Sequence, residues 1–166
     1  MSIFKLLSAA TLLTLAAPGQ AEPTAVGQYL FNTEFRLTNG QNLTGGDLRG
    51  QVVVVNFWAE DCKSCDDQLK ILDYYYRQRG DVGLVMLVKS VDQINDADLR
   101  RALNGTRLHG VRDIRGDLEP GFEIPATYFI DRNGKVRTIE NGVASIADLN
   151  RILVPLLREP QPKATM

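Results

Sequence analysis

The chain has 166 residues, of which 44% are hydrophobic and 23% charged, and its formal net charge is −1. This balance is typical of a globular protein, so wholesale disorder, collagen and coiled coils are excluded, and without a basic excess nucleic acid is not an expected partner. Two cysteines exclude a disulfide-rich scaffold, and a single histidine excludes a metal site built from several histidines.

The first 21 residues have the layout of a secretory signal peptide, which we assign to residues 1–21. Lys5 supplies a positive charge, residues 6–17 form an apolar run, and Pro18 ends that run ahead of small residues that a signal peptidase reads. The apolar run is too short to span a membrane. We therefore expect cleavage after Ala21.

Cleavage would leave residues 22–166, which is the length of one domain that buries a core of its own. Residues 158–166 at its end are polar and contain two prolines, so we expect a loose tail there. The signal peptide places the mature protein in a disulfide-permissive compartment, most simply the bacterial periplasm, without a membrane anchor.

The mature chain alternates between strand and helix patterns, which predicts an α/β fold with a mixed sheet. In chain order the patterns indicate first a hairpin that turns at Asn39 and Gly40, and then a buried strand over residues 52–58. A helix follows that ends at Gly80 and has Cys65, Leu69, Leu72 and Tyr76 on one face, and after it come a strand over residues 82–88 and a helix capped by Asn95. The last elements are two strands over residues 126–130 and 136–139 and a helix capped by Ser145, which Pro155 should kink or end.

We interpret the three tyrosines of the first helix and the single histidine as residues that serve packing and not catalysis. Three consecutive tyrosines lie in the first predicted helix, and the helical period directs Tyr76 inward while Tyr74 and Tyr75 are half-exposed. His109 is expected at the surface or at the end of a strand.

The residues best suited to catalysis lie in the segment from Cys62 to Cys65, which follows a buried strand and begins a helix. At that position unpaired backbone N–H groups and the helix dipole stabilise a thiolate at Cys62. Cys65 lies one turn further in, on the apolar face, and should be shielded. This arrangement is typical of thiol–disulfide exchange, in which Cys62 attacks a substrate disulfide and Cys65 resolves the mixed disulfide.

Three other interpretations of the cysteine pair compete with redox chemistry. A purely structural disulfide closing so short a loop would contribute only about 2 kcal/mol. A zinc half-site would need two further ligands, and only His109 and carboxylates are left to supply them. Copper delivery by the two thiols and His109, or a redox-inert thiol-binding module, stays open as a different class of function on the same fold.

Two segments resemble a known family. Residues 53–59, followed by the two cysteines, look like the active-site segment of the thioredoxin fold, and more narrowly that of the TlpA/ResA/DsbE branch of periplasmic thiol-disulfide oxidoreductases. Residues 124–131, followed by residues 133–136, are similar to that branch's P-T-x-F-x-I-D-x-x-G segment. The resemblance covers roughly residues 35–157. It implies a thioredoxin-like fold with a central mixed β-sheet flanked by helices and an N-terminal β-hairpin extension.

The resemblance also implies functional details. Pro125 would follow a cis peptide bond and face Cys62, and Ile124, Pro125 and Trp58 would contact the substrate. A cis proline there leaves the preceding backbone free to pair with an extended peptide and blocks metal from the thiols. The expected partners are a protein disulfide or thiol substrate and a membrane thiol electron donor. We expect no metal and no cofactor beyond the redox-active disulfide.

The chain departs from the family pattern at four positions around the cysteines. Asp61 replaces the usual Trp before the first cysteine, and Ser64 replaces Pro between the cysteines. Gln68 replaces a Glu that is thought to handle the proton of the resolving thiol, and Asn56 replaces the buried Asp of thioredoxin. Neither amide titrates, so the proton acceptor for Cys65 stays unassigned among water, Asp66 and Asp67.

Charge around the pair predicts the direction of electron flow. Lys63 favours the Cys62 thiolate, whereas four carboxylates oppose it, those of Glu60, Asp61, Asp66 and Asp67. A weakly stabilised thiolate makes a reducing site. We therefore expect an enzyme that reduces protein disulfides, with Cys62 and Cys65 as catalytic residues and Lys63, Asp61 and Gln68 as tuning residues. Apocytochrome c thiols, a dedicated enzyme and a secretion component are all open as substrates.

Overall fold

The structure is a computed structural model that describes residues 23–121 and 123–162. The predicted signal peptide over residues 1–21 lies outside the described residues, as do residues 163–166 of the predicted tail. Among the described helices, none combines the length and the apolar character needed to cross a membrane.

The described residues form one seven-stranded sheet with the order β2-β1-β5-β4-β3-β6-β7, together with three α-helices. The strands are β1 (Glu34–Leu37), β2 (Asn42–Thr44), β3 (Val52–Trp58), β4 (Leu84–Ser90), β5 (His109–Arg115), β6 (Ala126–Ile130) and β7 (Val136–Asn141). The helices are α1 (Lys63–Arg79), followed by a short 3-10 turn (Gly80–Val82), α2 (Asp96–Ala102) and α3 (Ile146–Arg158). The thioredoxin-like mixed sheet flanked by helices is therefore confirmed.

Strand β3 lies in the interior of the sheet, and all seven of its residues are buried. It pairs in parallel with β4 and antiparallel with β6. Its continuous run of β-branched residues is the pattern expected of a strand that is covered on both faces. Val54 and Trp58 pack on the side of the helices, whereas Val55 and Phe57 pack on the other. The carboxyl end of β3 leads directly into the turn before α1, which fixes the cysteine segment at that edge.

Strand β5 was not predicted from the sequence. It pairs in parallel with β4 and antiparallel with β1, and so joins the β1–β2 pair to the rest of the sheet. Its sequence HGVRDIR has only two fully buried positions, Gly110 and Val111, and therefore lacks both an apolar run and a clean alternation. His109 is the first residue of this strand, in agreement with the interpretation as a strand-end residue.

Helix α3 continues past Pro155, so of the two predicted outcomes, a kink or an end, this proline does not end the helix. The helix reaches Arg158, because its buried face of Leu149, Ile152, Leu153 and Leu156 holds it against the core on both sides of the exposed proline. Beyond it, Glu159 pairs with Arg137 at 2.7 Å, within the stretch predicted to be a loose tail.

The inward tyrosine of α1 was also predicted wrongly. Tyr75 is 3% exposed, whereas Tyr76 is only partly buried and Tyr74 is 57% exposed. The prediction counted apolar residues alone, but the fully buried Gln68 belongs to the packed face too. Including it moves the centre of the buried stripe around the helix and brings Tyr75 onto it.

Candidate active site

Cys62 is the N-cap residue of α1. Its backbone is extended, with φ −105° and ψ 94°, and its Sγ accepts a hydrogen bond from the Cys65 N–H at 3.2 Å. Asp61 before it has φ 55°, a left-handed conformation that short polar side chains tolerate better than most. The turn from β3 into the helix thus places Cys62 among the unpaired N–H groups of the first helical turn, as the sequence predicts.

Cys62 and Cys65 form a disulfide, with Cα atoms 5.2 Å apart and an S–S distance of 2.08 Å. The two cysteines differ sharply in exposure, because Cys62 is partly exposed whereas Cys65 is 0% exposed. Cys65 packs in the core on the helical side of the sheet, together with Trp58 and Leu69. An accessible sulfur beside a shielded one is the arrangement that directional thiol–disulfide exchange requires.

The charged neighbours of the disulfide are only partly paired. Lys63 Nζ lies 3.2 Å from a carboxylate oxygen of Asp67, which also binds Lys70 at 3.1 Å. The hydrogen bond from Lys70, and to a smaller extent the one from Lys63, lowers the pKa of Asp67, so this carboxylate is a poor proton acceptor. Lys63 is the predicted tuning cation, and it shares the Asp67 carboxylate with Lys70.

Asp66, the other acidic candidate for the proton of Cys65, accepts a hydrogen bond from the indole Nε1 of Trp58 at 3.2 Å. Trp58 itself is only 5% exposed and packs in the core. The structure therefore places Trp58 beneath the site with little exposed surface, and its contact with a substrate stays a prediction.

Ser64 is a neighbour of Cys62 that sequence reasoning treated only as a replaced proline. Its hydroxyl Oγ lies 3.4 Å from Cys62 Sγ, and both side chains are accessible. A hydroxyl at that distance can donate to a thiolate. The signal was present in the sequence, because a residue two positions after an N-cap lies in the first turn of the helix.

Two buried amides lie on the same side of the sheet as Cys65. Asn56 Nδ2 donates to Thr127 Oγ1 at 2.9 Å, and Gln68 Oε1 accepts from the Ala144 N–H at 2.6 Å. Both amide side chains are 0% exposed, yet Asn56 Oδ1 and Gln68 Nε2 have no hydrogen-bond partner among the described residues. Buried polar atoms are rarely left unpaired, so these two are unusual.

The Ile124–Pro125 peptide bond is cis, which confirms what the resemblance implies. Pro125 is buried, and its carbonyl accepts the Gly142 N–H at 2.8 Å. Ile124 is partly buried and packs against the core on both faces of the sheet, one of which also receives Cys62. Gly142 to Ala144 therefore form a loop tied to both Pro125 and α1, a connection that sequence reasoning missed.

Comparison with known proteins agrees with this geometry. The AhpC/TSA family model matches residues 26–139. A protein named thiol-disulfide oxidoreductase ResA from Geobacillus thermodenitrificans is 28% identical over 84% of this chain and 78% of its own length. The protein of the same name from Geobacillus kaustophilus is 27% identical over 92% of this chain and 91% of its own length.

Solved structures show the same fold. A putative thiol:disulfide interchange protein DsbE from Chlorobium tepidum superimposes with a TM-score of 0.64 at 19% identity, over 80% of this chain and 98% of its own. A secreted thiol-disulfide isomerase from Corynebacterium glutamicum gives a TM-score of 0.63 at 17% identity, over 76% of this chain and 83% of its own. With the Cys62–Cys65 pair at the start of α1, the chain belongs to the AhpC/TSA family and is a thioredoxin-like thiol-disulfide oxidoreductase, similar to the ResA proteins.

Proposed function

We propose that this oxidoreductase reduces protein disulfides in the periplasm, with Cys62 as the nucleophile and Cys65 as the resolving cysteine. The observation that carries the proposal is the unequal exposure of the two sulfurs. A substrate sulfur can approach Cys62 at the helix start, whereas Cys65 at 0% exposure is reached only by Cys62.

The reaction proceeds by two exchanges. The Cys62 thiolate attacks one sulfur of the substrate disulfide, so one S–S bond forms as another breaks and the leaving sulfur departs as a thiolate. Cys65 then loses its proton and attacks Cys62 Sγ, which releases the second substrate sulfur and closes the Cys62–Cys65 disulfide. The substrate has gained two electrons, and a thiol donor returns two electrons to the enzyme. We propose a membrane thiol protein as that donor.

The charges around Cys62 support reduction as the direction of transfer. Because Lys63 is paired with Asp67, part of its favourable effect on the thiolate is offset. Glu60 and Asp61 are exposed carboxylates with no ion-pair partner among the described residues, and they oppose a thiolate nearby. We therefore expect a potential nearer the thioredoxin value of about −270 mV than the strong-oxidant value of about −120 mV.

The compartment follows from residues 1–21, which carry the signal-peptide pattern. Cleavage after Ala21 would deliver an unanchored protein to the periplasm, where protein disulfides are abundant. The substrate would be a protein thiol or disulfide, and cytochrome c biogenesis is one setting that supplies such a substrate.

Insulin reduction by the purified chain from Glu22 onward, with dithiothreitol as donor, tests the activity. We expect insulin to precipitate faster with the wild-type chain than with a Cys62→Ala variant. Equilibration with glutathione gives the potential, and a value above roughly −170 mV would favour an oxidase. A pair that stays inert toward insulin but holds Cu(I) would favour the copper-delivery alternative.

A further inference from the structure

A cleft of about 210 Å³ opens at the carboxyl end of β4, on the face of the sheet that the helices do not cover. Phe57, Ile114 and Leu118 give it apolar walls and belong to the core cluster on that face. Pockets for drug-sized ligands measure roughly 300–1,000 Å³, so this smaller cleft suits a single side chain. Lys89 supplies the one positive charge among the described residues that line it.

The ammonium group of Lys89 is half-buried in this cleft and only partly satisfied. Side chains alternate along a strand, and since Leu87 packs on this face and Val88 on the helical face, Lys89 extends toward the cleft. Its Nζ donates to the Ser90 carbonyl at 2.5 Å and forms no ion pair among the described residues, which leaves two N–H donors for a ligand. Burial lowers the pKa of Lys89, and the charge of Asp113 opposes that shift. A desolvated cation of this kind is stabilised by a carboxylate that binds it directly.

Two carboxylates of the protein also line the cleft, and neither reaches Lys89 within ion-pair distance. Asp113 is already paired with Arg115 at 3.5 Å. Glu119 is exposed at the rim, so water solvates and screens its charge. The group that lacks a partner inside the cleft is therefore the cation, and the ligand that fits it is an anion with an apolar stem.

The register of the sheet places this cleft close to the segment where a substrate peptide is expected to dock. Lys89 pairs with Phe57, which pairs on its other side with Ala126, the residue after the cis proline Pro125. Adjacent strands are about 4.8 Å apart, so the backbone of Lys89 lies about 10 Å from that of Ala126. An extended chain advances about 3.3 Å per residue, so a peptide beside Pro125 reaches the cleft with a side chain about three residues from its cysteine.

We propose that this cleft binds the carboxylate side chain of an aspartate or glutamate near the reactive cysteine of a protein substrate, with Lys89 as the specificity-determining residue. The proposal rests on the proposed function and deepens it, because it gives the substrate a chemical feature that the disulfide alone lacks. The aliphatic stem of the acidic side chain packs against Phe57 and Leu118, and its carboxylate accepts the free N–H groups of Lys89. Hydrogen bonds between two charged groups are stronger than neutral ones, so a glutamine in place of the glutamate binds less well.

A tethered peptide tests the contact without any turnover. A capped peptide whose cysteine is activated as a pyridyl disulfide is joined to Cys62 of the Cys65→Ala variant, with glutamate or glutamine at one of the three positions on either side of that cysteine. Nuclear magnetic resonance then follows the lysine side chains, labelled with ¹³C. We expect the Lys89 resonances, assigned from their loss in Lys89→Met, to differ between the glutamate and glutamine peptides at one or two positions. Resonances that are the same for every matched pair would overturn the proposal, even if the protein reduces insulin normally.

Reduction kinetics provide the second test. Reduced wild-type protein is mixed with the same peptides, now joined by a disulfide to neutral 2-mercaptoethanol, and the products are measured by mass spectrometry after an acid quench. We expect the rate to be about threefold to tenfold higher for glutamate than for glutamine at the favoured position. Lys89→Met should remove this preference, and Lys89→Arg should keep most of it because it retains the charge.

Lys135→Met is the matched control, because it removes the same charge from the turn after β6, at the opposite end of the sheet. The preference for glutamate should stay at its wild-type value in this variant. A preference that survives in Lys89→Met, or that is lost equally in Lys135→Met, would refute recognition by Lys89. A protein that reduces neither peptide would refute only the proposed function, because the tethered comparison does not depend on turnover.

Discussion

In the first two turns of α1, Cys65 and Gln68 are fully buried, and the Gln68 side-chain nitrogen has no hydrogen-bond partner in the part of the chain that the structure describes. Near the last turn, Tyr75 is buried to a similar degree, but its hydroxyl donates to Asn150 Oδ1 at 3.3 Å. The two ends of this 17-residue helix are about 25 Å apart. One helix thus keeps unsatisfied and reactive groups at its start and packs satisfied groups at its end. Substitutions at the start should alter redox chemistry, and those at the end should alter stability.

Substitution of the cysteines has the largest expected effect. Cys62→Ala and Cys65→Ala should both abolish insulin reduction, but only Cys65→Ala should accumulate mixed disulfides, because its accessible Cys62 can attack and nothing can resolve the product. Mass spectrometry of trapped partners should find them on Cys62. Partners trapped instead by Cys62→Ala would reverse the assignment of the two roles.

Removal of Tyr75 tests the other end of the helix. Tyr75→Ala should lower the free energy of unfolding by about 3–5 kcal/mol, because it leaves a cavity where a large ring was buried. Tyr74→Ala is the control, since that ring is 57% exposed and its loss should change stability by no more than about 0.5 kcal/mol. Urea denaturation measures both. A shift of the glutathione equilibrium in folded Tyr75→Ala would break the separation between the two ends.

A smaller effect is expected from Ser64→Ala, because it removes the hydroxyl 3.4 Å from Cys62 Sγ. The loss of one donor to a thiolate should lower the thiolate fraction at neutral pH by several-fold and at most about tenfold. Alkylation of the reduced protein by iodoacetamide, followed by mass spectrometry of the Cys62 peptide, measures this fraction. Stability should stay within about 0.5 kcal/mol of the wild type, because the side chain is exposed. An unchanged alkylation rate would show that the hydroxyl does not donate.

The smallest effect is a pH dependence at the end of α1, where His109 Nε2 lies 3.4 Å from the Tyr76 hydroxyl. Burial lowers the pKa of His109 in the folded protein. The unfolded chain therefore takes up a proton at higher pH than the folded chain, so this contribution to stability is present above about pH 6.5 and is lost as the pH falls toward the folded pKa. In urea denaturation, His109→Gln should lose less stability on acidification than the wild type does. An identical loss in both proteins would exclude a role for His109.

The sequence predicts the parts of the fold that rest on local pattern. Strand β3 and the N-cap residues Asn95 and Ser145 are correct, because a continuous β-branched run and a capping side chain are local signals. Strand β5 is missed because polar residues dominate it and pairing on both sides supplies its stability.

The candidate site divides in the same way. Cys62 and Cys65 are evident from their spacing and from the strand before them, and their unequal burial follows from the helical period. The hydrogen bond between Gln68 and Ala144 joins residues 76 positions apart, so no local pattern could reveal it. The unpaired nitrogen that it leaves behind is visible only in three dimensions.

The sheet order described above leaves β2 and β7 as the two edges, and both are poor templates for another chain. Strand β2 has three residues, and β7 presents Arg137 and Glu140, which are held in ion pairs with Asp131, Glu159 and Arg151. Short and charged edges discourage backbone pairing with foreign strands. Blunt edges therefore keep an exposed strand of a protein substrate from adding to this sheet and seeding aggregates.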